Sequence, residues 1–221
     1  MLEPDRPRLT LTFDNGPTPR VTPGVLEALR ERGIRATFFV VGQNLRSPDR
    51  RAIAATAASE GHWVGNHTLT HSVELGDSDP DVGRREIEDA QDALGELASP
   101  DKLFRPWGRG RLGPTLLSAP AVEHLRREGY TCVLWNSVPR DWADPEGWVE
   151  TCLRDLATRD WSVVVLHDLD TGAMRRLPEF LDRAAAEGFE LVQELPDSCV
   201  PIRRGVLQWS IDHLIKEEAD A

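Results

Sequence analysis

The sequence predicts an α/β protein built around a mostly parallel sheet or barrel, and three observations support this fold class. Short runs rich in β-branched and aromatic residues alternate with longer helical stretches along the chain. Glycine stands at predicted helix-to-strand junctions, where a left-handed helix end costs it little: Gly33, Gly61, Gly129 and Gly188. The 221 residues contain no linker-like composition shift, so a single domain over residues 1–221 is expected.

The elements are predicted in chain order. Seven strands are expected, at residues 9–13, 36–41, 62–65, 103–105, 131–135, 162–167 and 189–193. Three helices should begin at a good N-cap residue followed by proline: Thr22-Pro23, Asp79-Pro80 and Asp144-Pro145. After Asp79 a buried apolar stripe is predicted, with a solvated face that includes Arg84, Arg85, Glu86, Glu88 and Asp89. Apolar residues near the carboxyl end predict an extra helix over residues 206–218.

Charge and composition exclude some classes of partner. The chain has 37 acidic and 26 basic residues, a net charge of −11, which disfavours binding to nucleic acid or to anionic membranes. No signal-like start is seen, and no apolar run approaches the roughly 20 residues that span a bilayer. We therefore expect a cytoplasmic protein without a membrane partner. Cys132, Cys152 and Cys199 have no CxxC spacing and are expected to be reduced thiols.

Five polar clusters are predicted at one edge of the sheet. In parallel α/β folds the carboxyl ends of the strands carry the functional sites. The clusters at these ends read TFDNGP from Thr12, GNHTLTH from Gly65, FRPWG from Phe104, DW at Asp141 and VVVLHD from Val163. The sequence therefore predicts that these clusters meet in one site.

His67 and His71 are candidate metal ligands. On one helical turn, a spacing of four would place both imidazoles on the same face, which suits a divalent metal that accepts nitrogen ligands. Asp14 or Asn15 could supply a further ligand, and a nearby carboxylate could take a proton from water. The alternative interpretation is a pair of surface or capping histidines and a tight turn at Asp14-Asn15-Gly16-Pro17.

Arg105 and His167 are candidate site residues at two other strand ends. Arg105 could orient a carboxylate base with its two-pronged guanidinium, or it could be a surface cation. A carboxylate at Asp141 would keep the His167 imidazole protonated and able to act as a general acid, although a core histidine is the alternative. Trp107 and Trp142 could offer flat surfaces to a sugar, or they could simply pack in the core.

Taken together and in this order, the five clusters resemble the motifs of the NodB-type polysaccharide deacetylase family, carbohydrate esterase family 4. The resemblance extends from about Leu9 to about Leu195. It implies a distorted (β/α)7 barrel in a single NodB-homology-like domain. It also implies an enzyme that removes N- or O-acetyl groups from sugars with a divalent metal, usually zinc.

The resemblance implies a role for each candidate residue. Asp14 becomes the general base, held in place by Arg105, and His167 becomes the general acid with Asp141 as its electrostatic partner. His67 and His71 become metal ligands, together with the residue at position 15. Trp142 becomes part of the acetyl-pocket wall, and a backbone N–H near Trp107 or Gly108 helps to hold the oxyanion.

Asn15 departs from the family pattern, which has an aspartate at this position. An amide oxygen can ligate a divalent ion but brings no charge, so weaker metal binding is expected. A retained ion would be more electrophilic and its water more acidic. The expected cofactor is one divalent ion, zinc, with Co²⁺, Ni²⁺ or Mn²⁺ as alternatives. The other interpretation is that the metal is lost, as in metal-free relatives that open cyclic amides or ureides such as allantoin.

The predicted function is a metal-dependent hydrolase that removes an N-acetyl group from an amino sugar or another small acetylated amine. The expected substrate is a small acetylated sugar or an oligosaccharide. Two alternatives stay open: a metal-free cyclic-amide or ureide hydrolase, and a non-catalytic carbohydrate-binding relative.

Overall fold

The computed structural model describes residues 6–216 and confirms the predicted fold class. These residues form one sheet of nine strands, in the order β6-β1-β2-β3-β4-β5-β8-β9, with β7 also paired to β1. The strands are β1 Arg8–Asp14, β2 Thr37–Val40, β3 Trp63–Asn66, β4 Leu103–Phe104, β5 Thr131–Cys132, β6 Trp161–His167, β7 Glu190–Val192, β8 Ile202–Arg203 and β9 Val206–Leu207. The helices are α1 Thr22–Arg30, α2 Pro48–Ser59, α3 Pro80–Leu94, α4 Ala119–Arg127, α5 Trp148–Leu156 and α6 Leu177–Ala186.

Strand β1 pairs with three other strands of the sheet. One of its edges pairs in parallel with β6 along the whole strand, so that Asp14 is the register partner of His167. The other edge is shared by β7 at the amino end and β2 at the carboxyl end. All residues of β1 after Arg8 are buried, as expected for a parallel strand that is covered on both faces. The first and sixth strands therefore deliver their last residues to the same place.

The barrel closes between β5 and β6 through a loop. Strand β5 ends at Cys132, earlier than predicted, and Ser137 in the following loop bridges to Val164 of β6. The side chain of Asn136 takes the place of a regular ladder: its Oδ1 accepts from the Val163 N–H at 2.7 Å, and its Nδ2 donates to the Trp161 carbonyl at 2.9 Å. Backbone hydrogen bonds of Ser137 to Val163 and Val165 complete this closure, so a few contacts replace a continuous ladder between β5 and β6.

Of the three predicted helix starts, the one at Asp79 is confirmed, and the one at Thr22 is displaced by one residue, because Val21 is the N-cap, without a side-chain cap hydrogen bond, and Thr22 is the first helical residue. Helix α1 begins at Thr22, and α3 begins at Pro80 after Asp79, whose side chain accepts from the Asp81 N–H at 2.9 Å. The start predicted at Asp144 is wrong, because α5 begins at Trp148. The Asp144 Oδ1 instead accepts from the Gly147 N–H at 2.9 Å and closes a turn before the helix.

The helix expected over residues 206–218 is also wrong over the part that the structure describes. Arg204 and Gly205 both have a positive φ and form a tight turn that pairs Val206–Leu207 antiparallel to Ile202–Arg203. Beyond this hairpin, a short 3₁₀ helix spans Asp212–Leu214. Leu214 in this helix and Ile211 directly before it are both buried. The spacing of the apolar residues thus identifies buried positions, but these residues do not form an α-helix. Residues 217 and 218 of the predicted helix lie outside the described residues.

Two expectations concern the surroundings of the chain. All three cysteines are buried and free, as predicted. Within residues 6–216, no helix has both the length and the apolar character that crossing a membrane requires. The cytoplasmic location stays a prediction.

Candidate active site

A cavity of about 290 Å³ opens at the carboxyl edge of the parallel strands. Eight of the predicted site residues line it: Asp14, Asn15, His67, His71, Trp107, Gly108, Trp142 and His167. The other two, Arg105 and Asp141, are fully buried and contact the lining side chains from behind. The structure therefore brings all the candidate residues together.

Asp14 is fixed by the buried guanidinium of Arg105. The Arg105 Nη1 donates to the Asp14 Oδ1 at 2.8 Å and to the Thr12 hydroxyl at 2.6 Å. The other guanidinium nitrogens donate to the carbonyls of Val133 and Leu134. Burial alone would raise the pKa of Asp14, but Arg105, together with neighbouring histidines, lowers this pKa below its ordinary value. Asp14 is therefore an ionised carboxylate. Its Oδ1 is bonded to Arg105, and its Oδ2 remains available to the cavity.

The two candidate metal ligands lie on the loop after β3. The expected helical turn is wrong, because Thr68 and His71 have φ values of 63° and 55°, which break a helix. The loop is held instead by local hydrogen bonds, from the Thr68 N–H to the Asn66 Oδ1 at 2.9 Å and from the His71 N–H to the Thr68 Oγ1 at 3.1 Å. The rings of His67 and His71 nevertheless lie together, with centroids 4.7 Å apart.

Glu86 supports this loop from α3. The prediction that it faces solvent is wrong, because the residue is only 6% exposed. Its two carboxylate oxygens accept from Thr70, one from the N–H at 2.9 Å and the other from the hydroxyl at 2.8 Å. Glu86 thereby holds Thr70, one of the three residues between the two histidines.

Both histidines are kept neutral. Burial lowers the pKa of His67, and burial together with the neighbouring His67 lowers the pKa of His71 to about 3. The His67 Nδ1 is 2.9 Å from the carbonyl of Arg105, to which it can only donate. Its Nε2 therefore keeps a lone pair, and it lies 3.6 Å from the Asp14 Oδ2. Neutral imidazoles with a free nitrogen are the form that binds metal ions.

Asn15 provides an oxygen to the same cavity. Its φ of 79° is a left-handed conformation that asparagine tolerates well, and its carbonyl accepts from the Asn44 Nδ2 at 2.8 Å. The side-chain Oδ1 is buried and has no hydrogen-bond partner among residues 6–216. A buried acceptor without a donor is unusual and is consistent with an atom that ligates a cation.

The donor set in the cavity fits a divalent ion that accepts nitrogen and oxygen ligands. It combines two neutral imidazoles with the unpartnered amide oxygen of Asn15, and it carries no negative charge. In the part of the chain that the structure describes, no group of three or more His, Cys, Asp or Glu side chains could hold a metal ion. The unpartnered amide oxygen of Asn15 is therefore the candidate for a third protein ligand beside the two histidines.

His167 has the opposite electrostatic environment. Its Nδ1 lies 2.9 Å from the Asp141 Oδ1, and its backbone N–H donates to the Asp141 Oδ2, also at 2.9 Å. Burial disfavours charge on the ring, but the hydrogen bond and the charge of Asp141 outweigh burial and raise the pKa of His167 above its ordinary value. His167 is thus prepared to carry a proton.

Two tryptophans form walls of the cavity. Trp142 packs edge-on against the ring of His167, with centroids 4.6 Å apart. Trp107 lies between the ring of His71, at 5.1 Å, and the guanidinium of Arg109, at 5.2 Å. Val138 and Leu169 add apolar surface between these walls. The cavity therefore joins a polar floor to flat apolar sides, which suits a sugar ring.

Three residues that support the site were missed by the sequence analysis: Asn66, Glu86 and Asp168. The side chains of Asn66 and Glu86 bond to the loop that carries His67 and His71, whereas Asp168 accepts from the hydroxyl of Thr22 at the start of α1. The signal available was weak: Asn66 and Asp168 each adjoin a candidate histidine in the sequence. Nothing in the charged pattern of α3 separates Glu86 from its solvated neighbours.

Comparison with known proteins agrees with this geometry. The polysaccharide deacetylase family model matches residues 2–129. A chitooligosaccharide deacetylase of Sinorhizobium fredii is 34% identical over 175 residues, which cover 73% of this chain and 72% of that protein. A peptidoglycan-N-acetylglucosamine deacetylase of Bacillus cereus is 33% identical over 165 residues, which cover 72% of each.

A solved structure gives the same result for the fold. A family 4 acetyl xylan esterase from Clostridium thermocellum, in complex with a cobalt ion, superposes with a TM-score of 0.67 at 26% identity, covering 83% of this chain and 86% of that one. The distorted barrel expected from the resemblance is thus confirmed. The chain belongs to the polysaccharide deacetylase family and is a deacetylase-type hydrolase acting on carbon–nitrogen bonds outside peptides.

Proposed function

We propose that this protein removes the N-acetyl group from an amino sugar or a short amino-sugar oligosaccharide, and that it uses a divalent metal ion. The observation that carries the proposal is the single cavity lined by an ionised carboxylate, two neutral imidazoles and a third imidazole with a raised pKa. These are the base, the ligands and the acid that amide hydrolysis without a covalent intermediate requires.

His67, His71 and Asn15 would hold the ion. A bound divalent ion would polarise the acetyl carbonyl and make water more acidic. Zinc is the expected ion, because it takes two histidines and an oxygen with a position left open. A divalent ion also agrees with the similar acetyl xylan esterase, whose structure is a complex with cobalt.

Asp14 acts as the general base. Arg105 holds its Oδ1, so Oδ2 is the oxygen that accepts the proton of the attacking water. The lowered pKa keeps this carboxylate ionised at neutral pH. Because Arg105 is buried and each of its guanidinium nitrogens is hydrogen-bonded, the Asp14 carboxylate cannot rotate away from it without leaving a buried charge unpaired, which typically costs about 3–5 kcal/mol.

His167 acts as the general acid. Asp141 engages its Nδ1, so Nε2 is the nitrogen that donates a proton to the departing amine. A backbone N–H at Trp107 or Gly108 would donate to the oxyanion, and the faces of Trp107 and Trp142 would hold the sugar and the acetyl methyl group.

The test is acetate release from N-acetylated chitooligosaccharides and from N-acetylglucosamine by the purified protein, with and without added Zn²⁺ or Co²⁺. Mass spectrometry should show products that have lost one acetyl group, and chelator should abolish the reaction. Asp14→Asn is the matched control, because it keeps the size of the side chain and an oxygen for Arg105.

Other outcomes would point elsewhere. Turnover of a cyclic amide or ureide that survives chelator would replace the proposal with metal-free hydrolysis. Saturable binding of the sugars without acetate release, by a protein loaded with metal, would indicate a binding protein that keeps the cleft.

A further inference from the structure

Asp168 is a buried carboxylate for which the proposed mechanism has no use. It follows His167 directly, is 0% exposed and does not line the cavity. Burial raises the pKa of Asp168 to about 6. A buried ionisable side chain is costly to retain for packing alone, and its contacts show where it acts.

The carboxylate of Asp168 packs against Gly16. A Cβ placed on Gly16 would overlap with both carboxylate oxygens of Asp168, so the two residues are in the closest contact that a glycine allows. Gly16 belongs to the turn that follows Asp14 at the end of β1 and that carries Asn15. The contact therefore joins the carboxyl end of β6, which carries the proposed acid His167, to the turn that follows the proposed base Asp14.

A hydrogen-bond relay strengthens the same link. The Thr18 N–H donates to the Thr22 Oγ1 at 2.7 Å, and this hydroxyl donates to the Asp168 Oδ2. Through Thr22, Asp168 thus holds the far side of the turn as well. The other oxygen, Oδ1, has no partner in the part of the chain that the structure describes.

The two linked segments carry opposite halves of the chemistry. The sheet ladder sets Asp14 opposite His167, but it ends there. Beyond the ladder, the turn at Asn15 and Gly16 is bonded on the β2 side, where the Asn15 N–H donates to the Phe39 carbonyl and the Asn44 Nδ2 donates to the carbonyls of Asn15 and Gly16. On the β6 side, the packing of Asp168 on Gly16 and the relay through Thr22 hold the turn. We propose that Asp168 is a positioning residue that sets the turn after Asp14, which carries Asn15, relative to His167. This proposal rests on the proposed function.

A double-mutant cycle between Gly16→Ala and Asp168→Ala tests the contact. Each single variant should lower kcat, by up to about 10²-fold for a misplacement of ~1 Å, with KM little changed. The double variant should lose much less than the product of the two losses, because the added methyl group occupies the space vacated by the carboxylate. Losses that multiply would overturn the proposal, and so would an Asp168→Ala variant with the kcat of the wild type.

Conservative variants separate positioning from general stability. Asp168→Asn keeps an oxygen for Thr22 and the packing on Gly16, so it should recover most of the kcat lost in Asp168→Ala. Thr22→Ser should retain kcat, whereas Thr22→Val should lower it. The control is Thr10→Val at the opposite end of β1, which removes two buried hydrogen bonds, to Glu194 and from Trp161. It should lower Tm and leave kcat unchanged.

If Thr22→Val and Thr10→Val behave alike in both kcat and Tm, Asp168 is only a packing residue. The same conclusion follows if the kcat of Asp168→Asn is as low as the kcat of Asp168→Ala.

A second readout does not depend on the substrate. Asp168→Ala should weaken Co²⁺ binding, measured by titration calorimetry, by about tenfold, as is typical when a residue that orients a ligand is lost. Asp168→Asn should bind Co²⁺ like the wild type. A wild-type protein that binds Co²⁺ but releases no acetate would disprove the proposed function alone. Unchanged Co²⁺ affinity in Asp168→Ala, with unchanged kcat, would disprove the positioning role alone.

Discussion

The cavity holds three histidines in two regions with opposite electrostatics. On the β3 side, His67 and His71 are buried beside a carbonyl and beside each other, and their pKa values are lowered. On the β6 side, His167 is also buried, but it shares a hydrogen bond with the carboxylate of Asp141 and its pKa is raised. Burial acts in the same direction on all three rings.

The comparison of His67 with His167 shows that the partner of Nδ1, rather than burial, sets the protonation state of each ring. A carbonyl partner leaves a neutral ring with a lone pair for a cation, whereas a carboxylate partner gives a ring that holds a proton. The following experiments test this comparison, from the largest expected effect to the smallest.

The largest effect is expected from removal of the proton-transfer groups. Asp14→Asn and His167→Ala should each lower kcat by roughly 10²–10⁴-fold, the usual contribution of a general base or acid. Both variants should still bind metal, because neither removes a nitrogen or an amide oxygen from the ligand set. The measurements are kcat, metal content and thermal melting. Near-wild-type turnover with normal melting in either variant would remove that residue from the mechanism.

Metal binding should depend on the histidines of the β3 side and not on His167. His71→Ala should abolish stoichiometric binding of Zn²⁺ or Co²⁺, because it removes one of only two neutral imidazoles in the cavity. His167→Ala is the matched control and should bind either ion as the wild type does. Elemental analysis after gel filtration checks the result. Equal metal content in the two variants would show that the two regions do not differ in this way.

A charge introduced on the ligand side should sharpen the difference. Asn15→Asp should tighten binding of a divalent ion by about tenfold or more, because a charged oxygen replaces a neutral one next to His67 and His71. Titration calorimetry measures the affinity. Equal or weaker binding would show that residue 15 does not ligate the ion. The kcat of the variant would fall if the reaction depends on the greater electrophilicity of an ion without a carboxylate ligand.

The smallest change in rate is expected from Asp141→Asn, which should act mainly on pH dependence. His167 must be protonated to act as the acid, so activity is retained below its pKa and lost as the pH rises through it. Asp141 raises that pKa, and without its charge the alkaline limb of the pH–rate profile should move to lower pH. The acidic limb reports ionisation of Asp14, whose pKa is lowered, and it should stay in place. An unmoved alkaline limb would assign it to another group.

The sequence predicted the parts of this site that depend on strand ends. Asp14, Arg105 and His167 could be placed at one edge because each follows a buried apolar run, and parallel strands end together. The loop conformation could not be predicted in the same way: the histidines meet through positive φ values and hydrogen bonds at Thr68, not through a helical turn.

The missed features share a cause. Glu86 belongs to a helix face that is charged throughout, and only the tertiary contact with Thr70 buries it. The hairpin at Arg204 and Gly205 has apolar neighbours whose spacing also suits a helix, and the turn geometry decided the outcome. The turn of this hairpin is held by distant residues, since the Gly205 N–H donates to the Tyr130 carbonyl at 2.8 Å and the Arg204 N–H to the Thr131 Oγ1 at 3.0 Å. A local pattern does not contain such contacts between segments distant in sequence.

The closure of the barrel by Asn136 has a consequence for the acid. Asp141 lies on the segment that Asn136 fastens to β6, so the partner of His167 is held across a seam made of one amide side chain and a short bridge. Such a seam is a place where a barrel can open locally without unfolding as a whole. The contact with Asp141 that raises the pKa of His167 thus depends on the contacts across this seam. The ligand side differs, because continuous parallel ladders join β1, β2 and β3.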